Sequence, residues 1–156
     1  MNLLLFLISF CVITLYFLYI VYRHGVQVSL SATYYKIKHK PIFSFVLMFT
    51  AFPMMILAST GLMFFAGAAL IFVSASPAFM RDESVRKVHT YSAFLAIVFS
   101  TLSIIIDFDM WYMTLPLVIF AIAISLKAIK VANRIWWMEI VAFIQIYITL
   151  FIKLVV

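Results

Sequence analysis

The sequence predicts an all-α integral membrane protein, a single bundle of about six transmembrane helices, and three observations lead to that prediction. Of its 156 residues, 68% are hydrophobic and 10% are charged, against roughly 45–50% and about 25% in soluble domains. The apolar runs continue for about 17 residues or more, as a membrane helix requires, whereas the strands of a membrane barrel alternate over about ten residues. The basic residues are concentrated in three links between those runs.

The first apolar segment covers residues 2–22 and is expected to remain in the mature chain as a membrane helix. It has neither a basic stretch at its start nor a small-residue cleavage site before a polar domain, which a signal peptide requires. The lone cysteine, Cys11, lies in the middle of this segment. An intramolecular disulfide is therefore ruled out, and we expect this side chain to fill apolar space.

The second and third segments are predicted from one apolar run that extends from Pro41 to Phe79. Each crossing needs about 20 residues, because the hydrocarbon core is about 30 Å thick and a helix rises 1.5 Å per residue. The run is therefore long enough for two helices. Ser59-Thr60-Gly61 offers the turn between them, which places the helices at residues 42–58 and 62–79.

The remaining segments are predicted at residues 89–106, 110–126 and 136–154. The fourth and fifth are separated by the acidic turn Asp107-Phe108-Asp109. The fifth and sixth are separated by the basic link 127–134. The whole chain, residues 1–156, is then one transmembrane domain.

Two prolines fall inside the predicted helices. Pro53 lacks the backbone N–H that would bond to the carbonyl of Phe49, and Pro116 lacks the one that would bond to Tyr112. Both helices are therefore predicted to kink.

The distribution of basic residues predicts the orientation, because cytoplasmic loops carry the excess of lysine and arginine. Ten of the eleven basic residues lie in the links after segments one, three and five, namely Arg23, Lys36, Lys38, Lys40, Arg81, Arg86, Lys87, Lys127, Lys130 and Arg134. The opposite side carries Asp107, Asp109 and the single exception Lys153. Both termini are therefore predicted to lie outside the cytoplasm, an N-out and C-out topology.

Polar side chains in or beside the membrane segments are candidates for function, because each is costly in hydrocarbon and needs a partner. His89 is predicted where segment four enters from the cytoplasm, and Glu139 lies one turn inside segment six on the same side. If the two side chains meet, they form a proton-relay or general-base pair. In the alternative interpretation, each pairs with a nearby basic or backbone group at the headgroup level.

The first cytoplasmic link adds hydroxyl, aromatic and basic groups on the same side. It contains Ser29, Ser31, Tyr34 and Lys38, a set that suits an anionic lipid headgroup or a phosphate, since each lysine adds about 1 kcal/mol of attraction to an acidic leaflet. Ordinary anchoring at the interface explains the tyrosine and the lysine equally well. The candidate polar cluster is therefore Ser29, Ser31, Tyr34, Lys38, His89 and Glu139.

A stripe of small and polar residues follows His89 along segment four. Ala93, Ala96, Ser100, Ser103 and Asp107 recur every three or four residues and so share one face of a helix. Small residues allow helices to approach closely, and serines bond across the interface between them. Helix packing is the favoured interpretation of this stripe, and a pore or a ligand-lining face is the alternative.

The sequence contains none of the common catalytic or nucleotide-binding motifs, and no cofactor or metal site is predicted. Zinc sites need three or four ligands close together, and a bis-histidine haem needs two histidines inside the membrane. Among the three histidines, only His89 falls in a predicted membrane segment. No catalytic residue is assigned, and no nucleic-acid partner is expected.

Four short motifs are spread along the chain: Ser29-Leu30-Ser31-Ala32-Thr33-Tyr34-Tyr35, Ser76-Pro77-Ala78-Phe79, Val88-His89 and Met138-Glu139-Ile140. In these motifs the chain resembles an uncharacterised group of small polytopic membrane proteins of bacteria and of phages of gut bacteria. The resemblance spans most of the chain and implies a multi-pass protein of the bacterial inner membrane. It implies no activity, because the group has no assigned role.

Three classes of function stay open on these observations. The favoured class is a non-enzymatic scaffold or binding protein whose cytoplasmic-side cluster binds a membrane lipid, anionic headgroups included, or a partner. The second is a proton or small-solute channel or transporter that acts as a homo-oligomer, with the segment-four stripe and Glu139 along its path. The third is a lipid-modifying enzyme, which requires His89, Glu139 and a nucleophile such as Ser31 to converge within about 3 Å.

Overall fold

The computed structural model describes residues 2–56, 61–76, 82–126 and 131–155. These residues form six α-helices: α1 (Asn2–His24), α2 (Pro41–Ile56), α3 (Gly61–Ala75), α4 (Glu83–Leu102), α5 (Leu115–Ser125) and α6 (Arg134–Val155). No strand occurs within the described ranges, so the predicted all-α class with six helices is confirmed for them. The predictions that involve Ser59, Thr60, 77–79, Arg81, Lys127 and Lys130 lie outside the described residues.

Most helices that follow one another in the chain pack side by side. Contacts join α1 to α2, α2 to α3, α3 to α4 and α5 to α6, and α1 also packs on α6. Ser44 at the start of α2 donates a 2.7 Å hydrogen bond to the carbonyl of Ser74 near the end of α3. In the next pair, the ring of Phe65 lies 5.9 Å from the ring of Phe99. The result is a bundle in which one end collects the links after α1 and α3.

Three of these helical stretches are long and apolar enough to cross a membrane: Leu3–His24, Glu83–Asp107 and Arg134–Val155. At 1.5 Å per residue they span roughly 33–38 Å, which exceeds the hydrocarbon thickness of about 30 Å. The stretches Pro41–Ile56 and Gly61–Ala75 are apolar but shorter, at roughly 22–24 Å. Trp111–Ser125 is the third short apolar stretch.

Large apolar side chains cover the outside of the bundle as well as its interior. Leu4, Leu15, Phe72, Phe94 and Ile119 are each 60–65% exposed. The largest fully buried apolar side chains are Ile20, Phe43, Leu47, Met54, Met63, Ile104, Trp136 and Leu150. Apolar side chains of the described helices therefore lie on the outer surface as well as in the core.

Helix α4 begins six residues earlier than the predicted start of segment four. Asp82 is its N-cap, with a carboxylate that accepts from the N–H of Ser84 at 2.8 Å. Glu83 and Lys87 then form an exposed ion pair at 3.0 Å one turn apart. The described part of the charged link is therefore the first turn of the helix, because a capping carboxylate satisfies the N–H groups exposed there. His89 consequently lies almost two turns inside α4.

Pro116 starts a helix instead of bending one. A 3₁₀ turn at Trp111–Thr114 precedes α5, and Pro116 is in the first turn of that helix, where a missing N–H costs nothing. The carbonyl of Tyr112 accepts a hydrogen bond from the N–H of Leu115. The kink predicted in segment five is therefore wrong, whereas Pro53 does lie inside α2.

Gly67 marks the closest approach between α2 and α3. A Cβ atom at this position would lie 2.6 Å from Cγ of Met55, 2.9 Å from the carbonyl oxygen of Ala51 and 3.3 Å from Cβ of Met54. The methionine side chain has room to rotate, but the backbone oxygen moves only if the helices separate. Glycine therefore sets the distance between these two helices.

We expect Gly67→Ala to lower the free energy of unfolding by roughly 1–3 kcal/mol, the usual cost of overpacking. Gly61→Ala is the matched control, because among the described residues its Cβ would meet only the side chain of Phe65, at 3.7 Å. Thermal unfolding of both variants in detergent provides the measurement. Equal melting temperatures for the two variants would contradict the close approach at Gly67.

Candidate functional site

The link between α1 and α2 folds inward against the bundle. Residues Ser31–Tyr35 form a 3₁₀ helix in which Ser31, Thr33 and Tyr34 are buried, and Leu30 before it is buried as well. The hydroxyl of Thr33 donates to the carbonyl of Leu30 at 2.6 Å and lies 2.5 Å from the hydroxyl of Tyr16 in α1. These bonds fix Leu30 and Ser31 at the interior surface.

His89 is buried and connects this link to two helices. Its Nε2 atom lies 2.7 Å from Oγ of Ser31, and its Nδ1 atom lies 2.9 Å from Oγ of Ser76, just beyond the end of α3. Both ring nitrogens are therefore bonded to hydroxyl groups. A buried imidazole needs such partners, because an unsatisfied polar group away from water is costly.

The hydrogen-bond network assigns the proton on the His89 ring. The hydroxyl of Ser76 has one proton, which it donates toward the carbonyls of Phe72 at 2.7 Å and Val73 at 3.2 Å. Its oxygen therefore accepts from Nδ1–H, and Val73 is a further backbone partner of the ring. Nε2 then carries the lone pair, since a neutral imidazole has one N–H. The hydroxyl of Ser31 is consequently the donor to Nε2.

Glu139 is half-buried and binds the same link from α6. Its Oε2 atom accepts the backbone N–H of Leu30 at 2.6 Å. Within the described residues, the salt bridge is that of Lys87 with Glu83, so the Glu139 carboxylate has no cationic side chain beside it there. An ionised carboxylate offers about four acceptor positions. Glu139 therefore keeps capacity to accept from a ligand.

His89 and Glu139 meet the same loop without bonding to each other in the part of the chain that the structure describes. Ser31 bonds to His89, and the neighbouring amide of Leu30 bonds to Glu139. The direct pair that the sequence left open is therefore not formed there, and Glu139 instead accepts from a backbone group, as in the alternative interpretation. The lipid-modifying enzyme expected as the third class requires three side chains to converge. Ser31 and His89 do so at 2.7 Å, whereas Glu139 bonds to the amide of Leu30 and not to either of them.

The other members of the predicted cluster take different roles. The oxygen of Ser29 accepts the N–H of Ala32 at 3.2 Å, which caps the 3₁₀ helix locally. Tyr34 stacks edge-on against Phe43 at 5.9 Å, and Nζ of Lys40 lies 5.2 Å from its ring centroid. Lys38 is exposed. None of these three joins the hydrogen bonds of His89 and Glu139 in the described structure.

A partly open cavity of about 60 Å³ lies beside this site, between α2, α3, α4 and α6. Ser31, Ser100 and Glu139 supply its polar side chains, and Leu30, Leu47, Met54, Leu70, Val73, Ala93, Ala96, Ile97, Ala142, Phe143 and Ile146 form the rest of its lining. One water needs only about 10–15 Å³ on such a measure. The cavity therefore has room for a small group of several atoms.

The predicted stripe on segment four divides into two parts. Ala93, Ala96 and Ser100 line the cavity, and the hydroxyl of Ser100 donates to a carbonyl of its own helix at 3.0 Å. Ser103 is fully buried, and its hydroxyl has no hydrogen-bond partner among the described residues. A π-helical stretch over Ser103–Asp107 extends α4. Because a π turn changes the helical period, the regular face predicted at 100° per residue ends at Ser103.

A larger apolar groove of about 660 Å³ runs between α1 and α6. Its lining consists of Phe6, Leu7, Phe10, Ile13, Thr14, Phe17, Leu18, Ile140, Phe143, Ile144, Tyr147, Ile148 and Phe151. Phe143 also lines the cavity beside Glu139. One aromatic side chain therefore forms part of the wall of both spaces.

Two partners in the site were absent from the predicted cluster. Ser76 bonds to His89 across 13 positions of sequence, a spacing that no helical periodicity indicates. The amide of Leu30 bonds to Glu139 across 109 positions, and a backbone group has no sequence signature of its own. Ser76 entered the sequence analysis only as the first residue of the motif Ser76-Pro77-Ala78-Phe79, and as a polar residue within the third predicted segment.

Comparison of the chain with protein-family models, with curated proteins and with solved structures finds no match. The chemistry of the site therefore rests on its own residues. Across the described ranges, no three His, Cys, Asp or Glu side chains are grouped closely enough to hold a metal ion. The arrangement offers a carboxylate acceptor and a hydroxyl bonded to an imidazole, both beside a mainly apolar cavity.

Replacing Glu139 by leucine is expected to lower the free energy of unfolding by about 1–3 kcal/mol, because the buried N–H of Leu30 loses its acceptor. Glu139→Gln keeps an amide oxygen in the same place and should cost less. Hydrogen–deuterium exchange of the peptide that contains Leu30 measures the effect. Unchanged protection of Leu30 in Glu139→Leu would show that this bond does not hold the link.

Proposed function

We propose that this protein crosses the bilayer six times and binds a phospholipid whose headgroup carries both an ammonium group and a phosphate, as in phosphatidylethanolamine. The observation that carries the proposal is Glu139, a carboxylate beside a mainly apolar cavity with no cationic partner among the described residues. A charge in such surroundings is costly unless it is paired. A cationic hydrogen-bond donor is therefore the complementary ligand.

The proposed topology is supported by where the charged helix ends lie. Hydrogen bonds join the end of α3, the first turns of α4 and α6 and the link after α1 at one end of the bundle. The side chains that form them are Ser31, Ser76, His89 and Glu139. The described basic residues of these segments are Arg23, Lys36, Lys38, Lys40, Arg86, Lys87 and Arg134. The positive-inside rule then assigns this end to the cytoplasm.

The basic residues of the first link are complementary to the phosphate of this lipid. Lys36, Lys38 and Lys40 follow the 3₁₀ helix and are exposed. That helix has five residues at about 2 Å each, so Lys36 lies within about 10 Å of Ser31. Lysines at this level attract a phosphate, while Glu139 attracts the ammonium group of the same molecule.

The groove between α1 and α6 suits the acyl chain of that lipid. Its lining is almost entirely apolar, and Ile140 at one end follows Glu139 directly in the chain. An apolar chain in the groove would therefore run away from the carboxylate along α6. The groove would therefore hold the acyl chain, and the adjacent site at Glu139 would hold the headgroup.

The channel alternative receives less support from the same geometry. A conducting path needs polar groups along its length, whereas the cavity that the segment-four stripe lines is small and mainly apolar. The hydroxyl of Ser100 is bonded within its own helix. These features favour a binding site over a path.

The proposed topology predicts opposite accessibility for Lys38 and Asp109. In a Cys11→Ser background, single cysteines are introduced as Lys38→Cys and Asp109→Cys. In right-side-out cells treated with a membrane-impermeant maleimide, we expect Asp109→Cys to react and Lys38→Cys to react only after the membrane is permeabilised. Reaction of both variants in intact cells would contradict the six-crossing arrangement.

The lipid proposal predicts that phosphatidylethanolamine co-purifies with the protein above its share of the membrane. A charged hydrogen bond contributes about 1.5–3 kcal/mol, so Glu139→Gln should weaken retention by about tenfold or more. Mass spectrometry of the lipids bound after detergent extraction measures both quantities.

Glu83→Gln is the matched control for this experiment, because Glu83 is an exposed acid paired with Lys87. This variant should retain phosphatidylethanolamine as the unmodified protein does. Preferential retention of an anionic lipid such as phosphatidylglycerol, unaffected by Glu139→Gln, would contradict the role of the carboxylate.

A further inference from the structure

We propose that Ser31 is a nucleophile activated by His89, and that it attacks the carboxylic ester of a glycerolipid held at the site. The inference rests on the proposed function for the delivery of its substrate. It adds a covalent reaction that lipid binding alone does not require. It develops the third class of function left open by the sequence, a lipid-modifying enzyme, with Ser76 rather than Glu139 beside His89.

The geometry of three side chains supports this assignment. A nucleophilic serine needs a base within about 2.6–3.2 Å, and that base needs a third group to orient it. The hydroxyl of Ser31 lies 2.7 Å from Nε2 of His89, and Oγ of Ser76 lies 2.9 Å from Nδ1. Because Ser76 donates its own proton to a carbonyl of α3, it holds the ring in the tautomer whose Nε2 accepts from Ser31.

The position of Ser31 fits the position of an ester bond. Ser31 lies beyond the end of α1 and before the exposed lysines, at the level where the apolar helices give way to charged links. The ester bonds of a glycerolipid lie between its phosphate and its hydrocarbon chains, at this same boundary. Ser31 also lines the cavity that Glu139 and Phe143 border, so a bound ammonium group and the reacting hydroxyl are adjacent.

The reaction is an acyl transfer followed by hydrolysis. Oγ of Ser31 bonds to the ester carbonyl carbon while its proton moves to Nε2 of His89. The bond from that carbon to the glycerol oxygen breaks, and the glycerol oxygen takes the proton from Nε2. Water then attacks the acyl-serine, giving one proton to Nε2. The bond from carbon to Oγ breaks, and Oγ recovers that proton. The products are a lysolipid and a fatty acid.

Slow turnover is expected from this arrangement. Ser76 orients the imidazole but brings no negative charge to stabilise an imidazolium, as a carboxylate in its place would. The backbone N–H groups of Ala32 and Thr33 are already bonded to Ser29 and Leu30, so they are not free to stabilise the oxyanion. A reactive probe therefore tests the nucleophile more directly than a lipid substrate.

The test is labelling of the full chain in detergent with a fluorophosphonate probe, followed by peptide mass spectrometry. The unmodified protein should be labelled at Ser31, and Ser31→Ala should lose that label. His89→Gln should reduce the labelling rate about 100-fold or more, the usual contribution of a general base. His39→Gln is the matched control, because His39 is exposed, and it should label as the unmodified protein does.

The unmodified protein gives a first outcome that does not depend on the folding of any variant. The internal reference is Ser125, whose hydroxyl bonds to the carbonyl of Ala121 at 2.8 Å. No label at Ser31, or a rate no faster than at Ser125, would overturn the proposal. Labelling that persists unchanged in correctly folded His89→Gln would overturn it as well.

The positioning role of Ser76 has a separate readout. In ¹⁵N NMR of the histidine rings, His89 should show Nδ1 protonated and Nε2 unprotonated. Ser76→Ala should lower the share of this tautomer, with Val73 as the remaining backbone partner, and slow labelling of Ser31. Lipid retention distinguishes the two proposals. Retention of phosphatidylethanolamine without labelling of Ser31 overturns the nucleophile alone, whereas labelling without retention overturns the proposed function alone.

Discussion

Burial of the His89 ring between two hydroxyl groups is the constraint on which one end of this bundle depends. An imidazole away from water needs a partner for each nitrogen, and here the partners are Ser31 in the link before α2 and Ser76 after α3. The carboxylate of Glu139 in α6 likewise needs a hydrogen-bond partner, and it accepts the backbone N–H of Leu30. Segments far apart in sequence therefore meet at one place because their polar groups have few other partners.

The same constraint explains why the residues that hold this end of the bundle together are also placed for proton transfer. Groups that must satisfy one another in an apolar interior are brought within hydrogen-bond distance, and that distance is also the one proton transfer needs. The remainder of the bundle is held mainly by apolar packing and by the close approach of α2 and α3 at Gly67, with separate hydrogen bonds such as that of Ser44 to the carbonyl of Ser74. Buried polar atoms without a partner in the described structure, Oγ of Ser103 and Oε1 of Gln145, are exceptions to the polar pairing.

The helices themselves were largely predictable, because continuous hydropathy and charged links are local properties. The start of α4 and the kink at Pro116 were predicted wrongly, because both depend on local hydrogen bonding that hydropathy does not describe. Asp82 caps α4 and so draws Glu83 and Lys87 into the helix, and Pro116 is tolerated because it lies in a first turn. Within the site, His89, Glu139 and Ser31 were predicted because polar residues near apolar segments are rare. Ser76 and the Leu30 amide were not, since their role depends on distant partners.

The sequence by itself determined the helical class and the uneven distribution of charge, because composition and hydrophobic run length act along the chain. It also indicated which polar side chains need partners. Only the tertiary structure decided which groups those partners are. Ser31 bonds to His89, and Glu139 bonds to the backbone amide of Leu30, the residue before Ser31. The physical reason is that hydrogen bonds at 2.6–2.9 Å require exact placement, and that placement follows from how the helices pack rather than from any one of them.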